Sequence, residues 1–442
     1  MRLAKPESPE AARTGYDIFK PYWTKAGIAR PRPDSCQTVP RDPILAAIPQ
    51  GPVPQGKTAS TRLDSCHNYH DFRRLAQRRL PRGIFDYIDG GADDETTMAR
   101  NAASYEACDL VPSVLRGVSE VDLSVSVMGQ KLALPVYCSP TAVQRLFHHR
   151  GEHAVAAAAA LFGTMFGVST LGTASIADLR RAHATPQVYQ FYFHRDRELN
   201  RAMLHSARDA GVNVMMLAVD SITGGNRERD KRSGFGVPFR PSIMGLLEFA
   251  LKPMWAFNYL THDAFTLPQL SEHIDFKGDS LSISRYFTEL LDPAMNWDDV
   301  AEMVRQWDGP FCLKGVMSVE DAIRAADIGC KGIVLSNHGG RQLDGSRAAF
   351  DQLAEVVDAV GDRIDVLMDG GVTRGSHVLK ALSLGAKAVG LGKYYLFPLA
   401  AAGQAGVERA LDLMRTELIR DMRLLGRTRI DQLGRSNLRF RP

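Results

Sequence analysis

The sequence predicts an α/β protein whose main part is a (β/α)8 TIM barrel, and the first evidence is a repeated pattern of apolar runs. Eight short runs, many of them rich in β-branched and aromatic residues, begin near residues 134, 163, 188, 213, 310, 332, 365 and 388. Segments with helical periodicity lie between most of them, at 152–162, 196–210, 319–328, 350–360 and 376–384. Eight strands that alternate with helices are typical of a closed parallel barrel.

The second observation concerns residues capable of binding or catalysis, which stand at or just past the carboxyl end of each run. They are Pro140, Ser169, Gln190 with Tyr192, Asp220, Lys314, His338, Asp369, and Gly392 with Lys393. The carboxyl ends of the strands form the face on which barrels of this kind hold their active sites. The sequence therefore predicts one site at that face, built from all eight strand ends.

Two segments are predicted to lie outside the repeating pattern. Residues 1–66 contain ten of the 23 prolines, too closely spaced for a helix or a central strand, and we interpret them as an extended Pro-rich arm. The barrel is assigned to residues 67–442. Its fourth connection is much longer than the others, so residues 234–296 are assigned to an insertion with a functional role.

A helical pattern covers residues 69–105, ahead of the first run. Its segment 83–91 ends at paired glycines, as helices often do. Tyr87 lies in this segment. Taken alone, an aromatic residue on a helix face is more often part of the core than of a binding site.

Composition excludes several classes of function. The net charge of +4 arises from scattered Lys and Arg, which disfavours nucleic-acid binding and favours an anionic substrate or lipid surface. Six cysteines without CxxC pairs indicate reduced thiols in a cytoplasmic protein. The start lacks a signal-like apolar stretch, and no run of 18 apolar residues occurs. We expect no metal site, and interpret the pair His148 and His149 as part of a turn.

The most informative segment, residues 336–344, reads SNHGGRQLD and follows the predicted strand at 332–335. His338 and Arg341 flank two glycines, which allow a tight turn that directs both side chains into one space. A guanidinium can bind a carboxylate in a fork, and an imidazole can accept a proton near neutral pH. The segment therefore favours a substrate with a carboxylate beside a carbon or oxygen that loses a proton.

Together with Lys314-Gly315-Val316 and Asp369-Gly370-Gly371, this segment resembles the FMN-dependent 2-hydroxy acid oxidases and dehydrogenases. That family includes glycolate oxidase, lactate oxidase, mandelate dehydrogenase and flavocytochrome b2, and the resemblance covers roughly residues 67–440. It implies an FMN cofactor, oxidation of a small L-2-hydroxy acid to the 2-oxo acid, and a homotetramer.

The resemblance also implies which residues bind FMN. Ser169, Gln190 and Lys314 would contact the pyrimidine side of the flavin ring. The other positions are Pro140, Thr141 and Ala142 along the ring edge, Ala218 and Ser336 near the ring, and Asp369, Gly370, Gly371, Thr373, Arg374, Gly392 and Lys393 around the ribityl chain and phosphate. Thr373 and Lys393 stand where the family usually has Arg, so bidentate phosphate binding is lost there.

For the substrate, the resemblance places Tyr87 and Arg341 at the carboxylate and Tyr192 at the 2-hydroxyl group. Arg227 would add positive charge. His338 would be the base and Asp220 its partner. Leu171 would line the side-chain pocket. Glycolate oxidase has Trp at that position, so we expect L-lactate to be preferred.

The sequence leaves alternatives open for the electron acceptor and for the reaction. The electron acceptor could be a quinone, a cytochrome or oxygen, and oxygen would make the protein an oxidase that produces peroxide. A non-catalytic flavin- or phosphate-binding barrel and an FMN enzyme of another reaction class, such as an isomerase, are further alternatives. The complete set of predicted catalytic residues argues against these two.

Residues 244–260 of the insertion form a largely apolar stretch interrupted by Pro253. This stretch is either a lid over the barrel mouth or a peripheral membrane contact with Trp255 and Tyr259 at the interface and Lys252 near the headgroups. We therefore expect a cytoplasmic protein. If the stretch is a membrane contact, we expect the protein to attach peripherally to the cytoplasmic side of the inner membrane.

Overall fold

A computed structural model describes residues 61–233, 235, 251–262, 266–273 and 286–441. The predicted N-terminal arm lies almost wholly outside the described residues, and so do large parts of the insertion. Of the arm, the structure describes residues 61–66, which include a short helix, and of the insertion it describes residues 235, 251–262, 266–273 and 286–296.

Eight parallel strands form the closed barrel that the sequence predicts. Each barrel strand pairs with the next in the chain, and the last pairs with the first, with Val389 opposite Val136. All eight predicted strands are confirmed. In chain order the strands are β1 Cys108–Leu110, β2 Val125–Val127, β3 Gln130–Leu132, the barrel strands β4 Val136–Thr141, β5 Met165–Ser169, β6 Gln187–Phe191, β7 Val214–Ala218, β8 Phe311–Val316, β9 Gly332–Leu335, β10 Asp365–Asp369 and β11 Val389–Leu391, and β12 Leu438–Phe440.

The helices predicted between the strands are confirmed with almost the predicted bounds. Asp196 shows why one of them begins where it does, since its side chain accepts hydrogen bonds from the backbone N–H groups of Glu198 and Leu199. In chain order the helices are α1 Thr61–Asp64, α2 Tyr69–Arg79, α3 Arg82–Asp89, α4 Thr96–Ala103, α5 Gly151–Leu161, α6 Ile176–Ala182, α7 Arg197–Asp209, α8 Glu228–Ser233, α9 Pro253–Thr261, α10 Pro268–Ser271, α11 Trp297–Trp307, α12 Val319–Asp327, α13 Ala349–Val360, α14 Gly375–Ser383 and α15 Lys393–Leu424. Helix α15 is interrupted at Ala402 and Gly403.

The inside of the barrel is filled by side chains, so the fold has a packed centre and an open mouth at one end only. Tyr137, Met165, Val188 and other inward-facing residues form this inner cluster. The hairpin of β2 and β3 adds Met128 to the same cluster at the amino end, where its backbone N–H donates to Asp365. The closed end leaves the carboxyl end for binding.

Helices α3 and α4 lie against the loop that follows β9. The backbone N–H of Ala92 donates to the carbonyl of Gly340 at 2.8 Å, and that of Thr97 donates to the Asp344 carboxylate at 2.7 Å. The segment ahead of the barrel is thus fixed at the barrel mouth, which brings Tyr87 to the predicted site.

Candidate active site

A cavity of about 490 Å³ opens at the carboxyl ends of the barrel strands. Seventeen of the residues predicted for the site line it: Tyr87, Pro140, Thr141, Ala142, Ser169, Leu171, Tyr192, Arg227, Lys314, His338, Arg341, Asp369, Gly370, Gly371, Thr373, Gly392 and Lys393. Asp220, Gln190, Ala218 and Ser336 lie behind this lining in contact with it. The structure therefore brings the predicted residues together at one place, with the exception of Arg374.

His338 and Asp220 form a hydrogen-bonded pair. The Nδ1 atom of His338 lies 3.1 Å from Oδ2 and 3.2 Å from Oδ1 of Asp220. Burial raises the pKa of Asp220, but the adjacent His338 and other groups outweigh it and hold the pKa below its usual value. The carboxylate is thus ionised at neutral pH and can stabilise a protonated imidazole. Because Asp220 engages Nδ1, Nε2 is the nitrogen left to accept a proton.

Backbone geometry fixes this pair. His338 has a φ of 57°, a conformation uncommon for residues other than glycine. Its N–H donates to Ser336 Oγ at 3.1 Å. On the opposite side, a Cβ on Gly315 would lie 2.5 Å from the Asp220 side chain, so glycine is needed for the carboxylate to fit.

Two guanidinium groups flank the ring of Tyr87. The Cζ atoms of Arg341 and Arg227 lie 5.1 Å and 5.0 Å from the ring centroid. Burial and the neighbouring Arg227 lower the pKa of Arg341 to about 10, so it remains charged at neutral pH. Such a concentration of positive charge beside a phenol suits a small carboxylate.

Leu171, Tyr192 and Ala218 form an apolar cluster beside these cations. Leu270 and Tyr286, from the described parts of the insertion, pack into the same cluster. Burial raises the pKa of Tyr192, so its hydroxyl stays protonated and can donate a hydrogen bond to a substrate oxygen.

Lys314 is a buried cation on β8, where it lies beside Ala218 of β7. Its Nζ donates to Ser336 Oγ at 2.8 Å and lies 3.3 Å from Asp369 Oδ2, while Ser336 Oγ donates to Asp369 Oδ1 at 2.6 Å. Burial lowers the pKa of Lys314, but the carboxylates of Asp369 and Asp220 outweigh it and the pKa lies above its usual value. The charge is therefore permanent near neutral pH.

The loop after β10 contains two glycines with positive φ, Gly370 at 104° and Gly371 at 72°. A Cβ on Gly371 would lie 2.1 Å from the carbonyl oxygen of Asn101, so only glycine fits under helix α4. Thr373 and Lys393 line the cavity beside this loop.

Arg374 departs from its prediction as a cofactor ligand. It does not line the cavity; its Nη1 donates to Glu417 Oε1 at 2.8 Å, and the N–H of Gly375 donates to the other oxygen of that carboxylate at 2.6 Å. Glu417 thus occupies the amino end of α14, where a phosphate could otherwise bind. The expectation is corrected because a carboxylate on α15 attracts the guanidinium away from the cavity.

Comparisons with known proteins agree with this geometry. The model of a family described as FMN-dependent dehydrogenase matches residues 76–440. The chain belongs to the FMN-dependent dehydrogenase family. An L-lactate dehydrogenase of Caulobacter vibrioides is 42% identical over 364 residues, 80% of this chain and 93% of the relative. An L-lactate oxidase of Nostoc sp. is 38% identical over 383 residues, 86% of this chain and 99% of the relative.

Among solved structures, the monotopic membrane protein (S)-mandelate dehydrogenase matches with a TM-score of 0.81 and 32% identity, covering 85% of this chain and 100% of that chain. These relatives confirm the resemblance predicted from the sequence. The chain is an FMN-dependent 2-hydroxy acid oxidoreductase, and its cofactor is FMN.

The residues present fit the cofactor of an FMN-dependent dehydrogenase. Ser169 Oγ donates to Gln190 Oε1 at 3.0 Å, while Gln190 Nε2 is buried and has no partner among the described residues. A buried amide donor without an acceptor is costly, and a flavin carbonyl is a suitable acceptor. Lys314 adds a fixed positive charge that a reduced flavin ring requires.

Several residues of the site were not predicted. Ser221 Oγ donates to Asp220 at 2.9 Å, and Gln342 Nε2 donates to the carbonyls of Asp220 and Thr223 at 2.9 Å and 3.0 Å. Gln342 belongs to the SNHGGRQLD segment, which was a usable signal. Asp89 and Arg73, which line the cavity from α3 and α2, left no such signal because their positions depend on how these helices pack.

The histidine pair agrees with its interpretation as a turn. The His148 and His149 rings stack with centroids 4.4 Å apart, and His149 stacks on His262 of the insertion at 4.0 Å. Within the described ranges, no group of three or more His, Cys, Asp or Glu residues could hold a metal ion.

Helix α9 of the insertion bears on the expected position of Trp255 and Lys252 at a membrane interface. Trp255 is only 3% exposed and its Nε1 donates to the carbonyl of Leu146, while Lys252 donates to the carbonyls of Gln77 and Arg78. Trp255 is therefore unavailable at a membrane interface, and the Lys252 ammonium is bound to the last turn of helix α2. In the part of the chain that the structure describes, no helix combines the length and apolarity needed to cross a membrane.

Proposed function

We propose that this FMN-dependent dehydrogenase oxidises a small L-2-hydroxy acid, with L-lactate preferred, to the 2-oxo acid. The observation that supports this most is the convergence of the His338 and Asp220 pair, the two guanidiniums around Tyr87 and the buried Lys314 on one cavity. When bound, FMN accepts the two electrons that leave the substrate.

In this proposal some side chains bind the substrate and others accept its proton. Arg341, Tyr87 and Arg227 bind the carboxylate, and the protonated hydroxyl of Tyr192 donates to the 2-hydroxyl oxygen. His338 Nε2 accepts the substrate proton, and the ionised Asp220 stabilises the imidazolium that results. Lys314 supplies a fixed positive charge at the ring, an arrangement of the kind worth roughly 3 to 4 kcal/mol of barrier.

The preference for lactate is supported by the size and polarity of the wall formed by Leu171, Tyr192 and Ala218. Leu171 is buried, and Leu270 packs behind it within the same cluster. A methyl group fits such a wall, and a larger ring would have to displace packed side chains. Relatives named L-lactate dehydrogenase and L-lactate oxidase support the same substrate.

The test is flavin reduction in the absence of oxygen. Purified yellow protein mixed with L-lactate should lose its visible absorbance faster than with glycolate or L-mandelate. A methylene in an apolar pocket is worth about 1 to 3 kcal/mol, so kcat/KM should favour lactate over glycolate by roughly tenfold or more. The variant Leu171→Ala should improve the relative rate with mandelate. A glycolate preference that survives this substitution contradicts the assigned pocket.

For the electron acceptor, we favour a quinone or cytochrome over oxygen. Helix α9 exposes Met254, Phe257 and Leu260, and Leu251 just ahead of it is exposed as well. A related mandelate dehydrogenase is named as a monotopic membrane protein. We therefore propose a cytoplasmic homotetramer that contacts the inner face of the membrane peripherally through this helix. The related L-lactate oxidase makes peroxide-producing turnover the second candidate.

A further inference from the structure

Lys393 lines the cavity two residues past the end of β11, the last barrel strand. Its Nζ donates to the carbonyl of Asp89 at 2.6 Å, and the carbonyl of Gly90 lies 3.5 Å away. Both carbonyls belong to the carboxyl end of helix α3, where the last carbonyls have no partner within the helix and the helix dipole favours a cation. Met98 Sδ, on helix α4, lies 2.9 Å from the same nitrogen.

The nearest acidic group is already committed to other cations. The Asp89 carboxylate accepts two hydrogen bonds from Arg73 at 2.6 Å and 2.7 Å, and a third from Arg229 at 3.0 Å. Within the described residues, no carboxylate oxygen lies within 4.0 Å of Lys393 Nζ. The lysine therefore rests on neutral carbonyls and carries no close counter-charge.

Other phosphate ligands are few at this end of the cavity. Thr373 offers a hydroxyl and no charge, and Arg374 is bound to Glu417 together with the amino end of α14. Arg73 and Arg229 also line the cavity but are bound to Asp89, which leaves Lys393 as a cation able to neutralise a phosphate against the glycine loop at 370–371.

We propose that Lys393 is a proton-coupled phosphate ligand, which takes up a proton from solvent as FMN binds, so that the protein holds FMN more tightly at pH 7 than at pH 9. The proposal rests on the FMN dependence in the proposed function and on the phosphate position that the family resemblance implies, and goes beyond them by assigning a charge change to one residue. The proton adds to the amine of Lys393, and no covalent bond to FMN forms or breaks.

The electrostatic surroundings support the proton uptake. Burial and the positive charge of Arg341 lower the pKa of Lys393 to about 7, which the more distant Arg229 reinforces and Asp89 and Glu95 oppose. A phosphate dianion within hydrogen-bonding distance favours the charged amine and raises this pKa again. Since the pKa is higher with FMN bound, the contribution to binding is complete below pH 7 and declines as the pH rises towards the pKa of the complex.

The experiment measures FMN release from the full-length holoenzyme. The protein is diluted into buffers from pH 7 to pH 9, and the fluorescence of free FMN at equilibrium gives the dissociation constant. In this range the phosphate remains a dianion, because its second pKa is about 6. With a lysine pKa near 7 without cofactor, Kd should rise roughly tenfold or more over these two pH units. Circular dichroism at each pH confirms that the chain stays folded.

Three variants separate phosphate binding by Lys393 from proton uptake by the same residue. Lys393→Arg keeps its charge across the range, so its Kd should be independent of pH. Lys393→Met should bind FMN weakly at both pH values. Thr373→Arg adds a cation beside the loop, and should tighten binding throughout while keeping the pH dependence of the unmodified lysine.

The outcomes distinguish the position of the phosphate from the uptake of a proton by Lys393. If Lys393→Met holds FMN as tightly as the unmodified protein at pH 7, the phosphate does not lie at Lys393 and the placement is wrong. If that variant binds weakly but the unmodified protein shows a flat Kd, or Lys393→Arg shows the same slope, the proton uptake is overturned while the placement stands. FMN fluorescence does not depend on turnover, so failure of lactate oxidation leaves this test unaffected.

Discussion

At the scale of single residues, the chemistry depends on one imidazole held from two sides. Asp220 engages His338 Nδ1, and Ser336 Oγ accepts the His338 backbone N–H. The residues that the family resemblance places at the pyrimidine side of the flavin ring, Ser169, Gln190 and Lys314, lie on strands β5, β6 and β8 and not on the loop after β9. Loss of the imidazole should therefore affect proton transfer and leave FMN binding intact.

The variant His338→Ala should retain its yellow colour and lose flavin reduction by L-lactate. Removal of a general base reduces the rate by about 10² or more. The measurement is the rate of absorbance loss under anaerobic stopped flow, with the FMN content of the purified protein as a control. Asp220→Asn, which keeps the imidazole but removes its negative partner, should show a smaller loss. Reduction by His338→Ala at nearly the original rate is incompatible with the assignment.

Sequence reasoning located His338, Arg341 and Lys314 because motif and strand position identify them without knowledge of packing. It could not foresee the surroundings of Lys393, since the carbonyls of Asp89 and Gly90 come from a helix some three hundred residues earlier in the chain. For the same reason Arg374 was misassigned. The charge of a residue can be read from the sequence, but which partner attracts it depends on tertiary contacts.

At the scale of elements, helix α9 has two unlike faces. Trp255 is buried against the barrel, while Met254 and Phe257 are each 62% exposed and Leu260 is 78% exposed. Apolar side chains in this number on one short helix are unusual for a surface that faces only water. They are suited to insertion into the headgroup region of a bilayer, with the buried face keeping the helix attached.

Replacing the exposed face should therefore release the protein from membranes without unfolding it. We expect the triple variant Met254→Ser, Phe257→Ser, Leu260→Ser to lose co-sedimentation with liposomes containing anionic lipid, and to reduce a lipid-soluble quinone analogue more slowly. Its reduction of a water-soluble dye should be unchanged, because no residue of the proposed active site is altered.

A matched control is provided by two exposed apolar residues far along the chain from α9. Val114 and Leu115 are 77% and 101% exposed, and Val114→Ser with Leu115→Ser should leave liposome binding unaffected. Equal liposome binding by the α9 variant and the unmodified protein would identify the helix as a lid. Fast peroxide formation without quinone reduction would instead assign the protein to the oxidases.

The barrel strands and the helices between them were predictable because their apolar residues follow one period and their boundaries carry capping residues. Helix α9 was recognised only as an apolar stretch. Its Pro253 was interpreted as an interruption, whereas proline at the first turn of a helix is favourable and here marks its start. Which face of α9 would be buried depended on contacts with Leu146 and Gln77 that no local pattern encodes.

At the scale of the whole molecule, the cavity joins the two ends of the barrel sheet. Strand β11 has only three residues, and it closes the barrel by pairing with β4. Pro140 and Thr141 are the last residues of β4, on one side of this seam, and Gly392 and Lys393 follow β11 on the other. A cofactor bound across these residues would connect the first and last strands, so its binding should stabilise the closed barrel.

Removal of FMN should consequently lower the melting temperature of the entire barrel and not merely disorder the site. A ligand present at about 1,000 times its Kd stabilises the folded state by roughly 4 kcal/mol, and the melting temperature should rise by several degrees when FMN is restored to the stripped protein. Thermal melts followed by far-ultraviolet circular dichroism give this shift directly. Lys393→Met serves as the control, since weaker binding should reduce its shift at the same FMN concentration. Identical melting temperatures with and without FMN would show that FMN does not bind preferentially to the folded barrel.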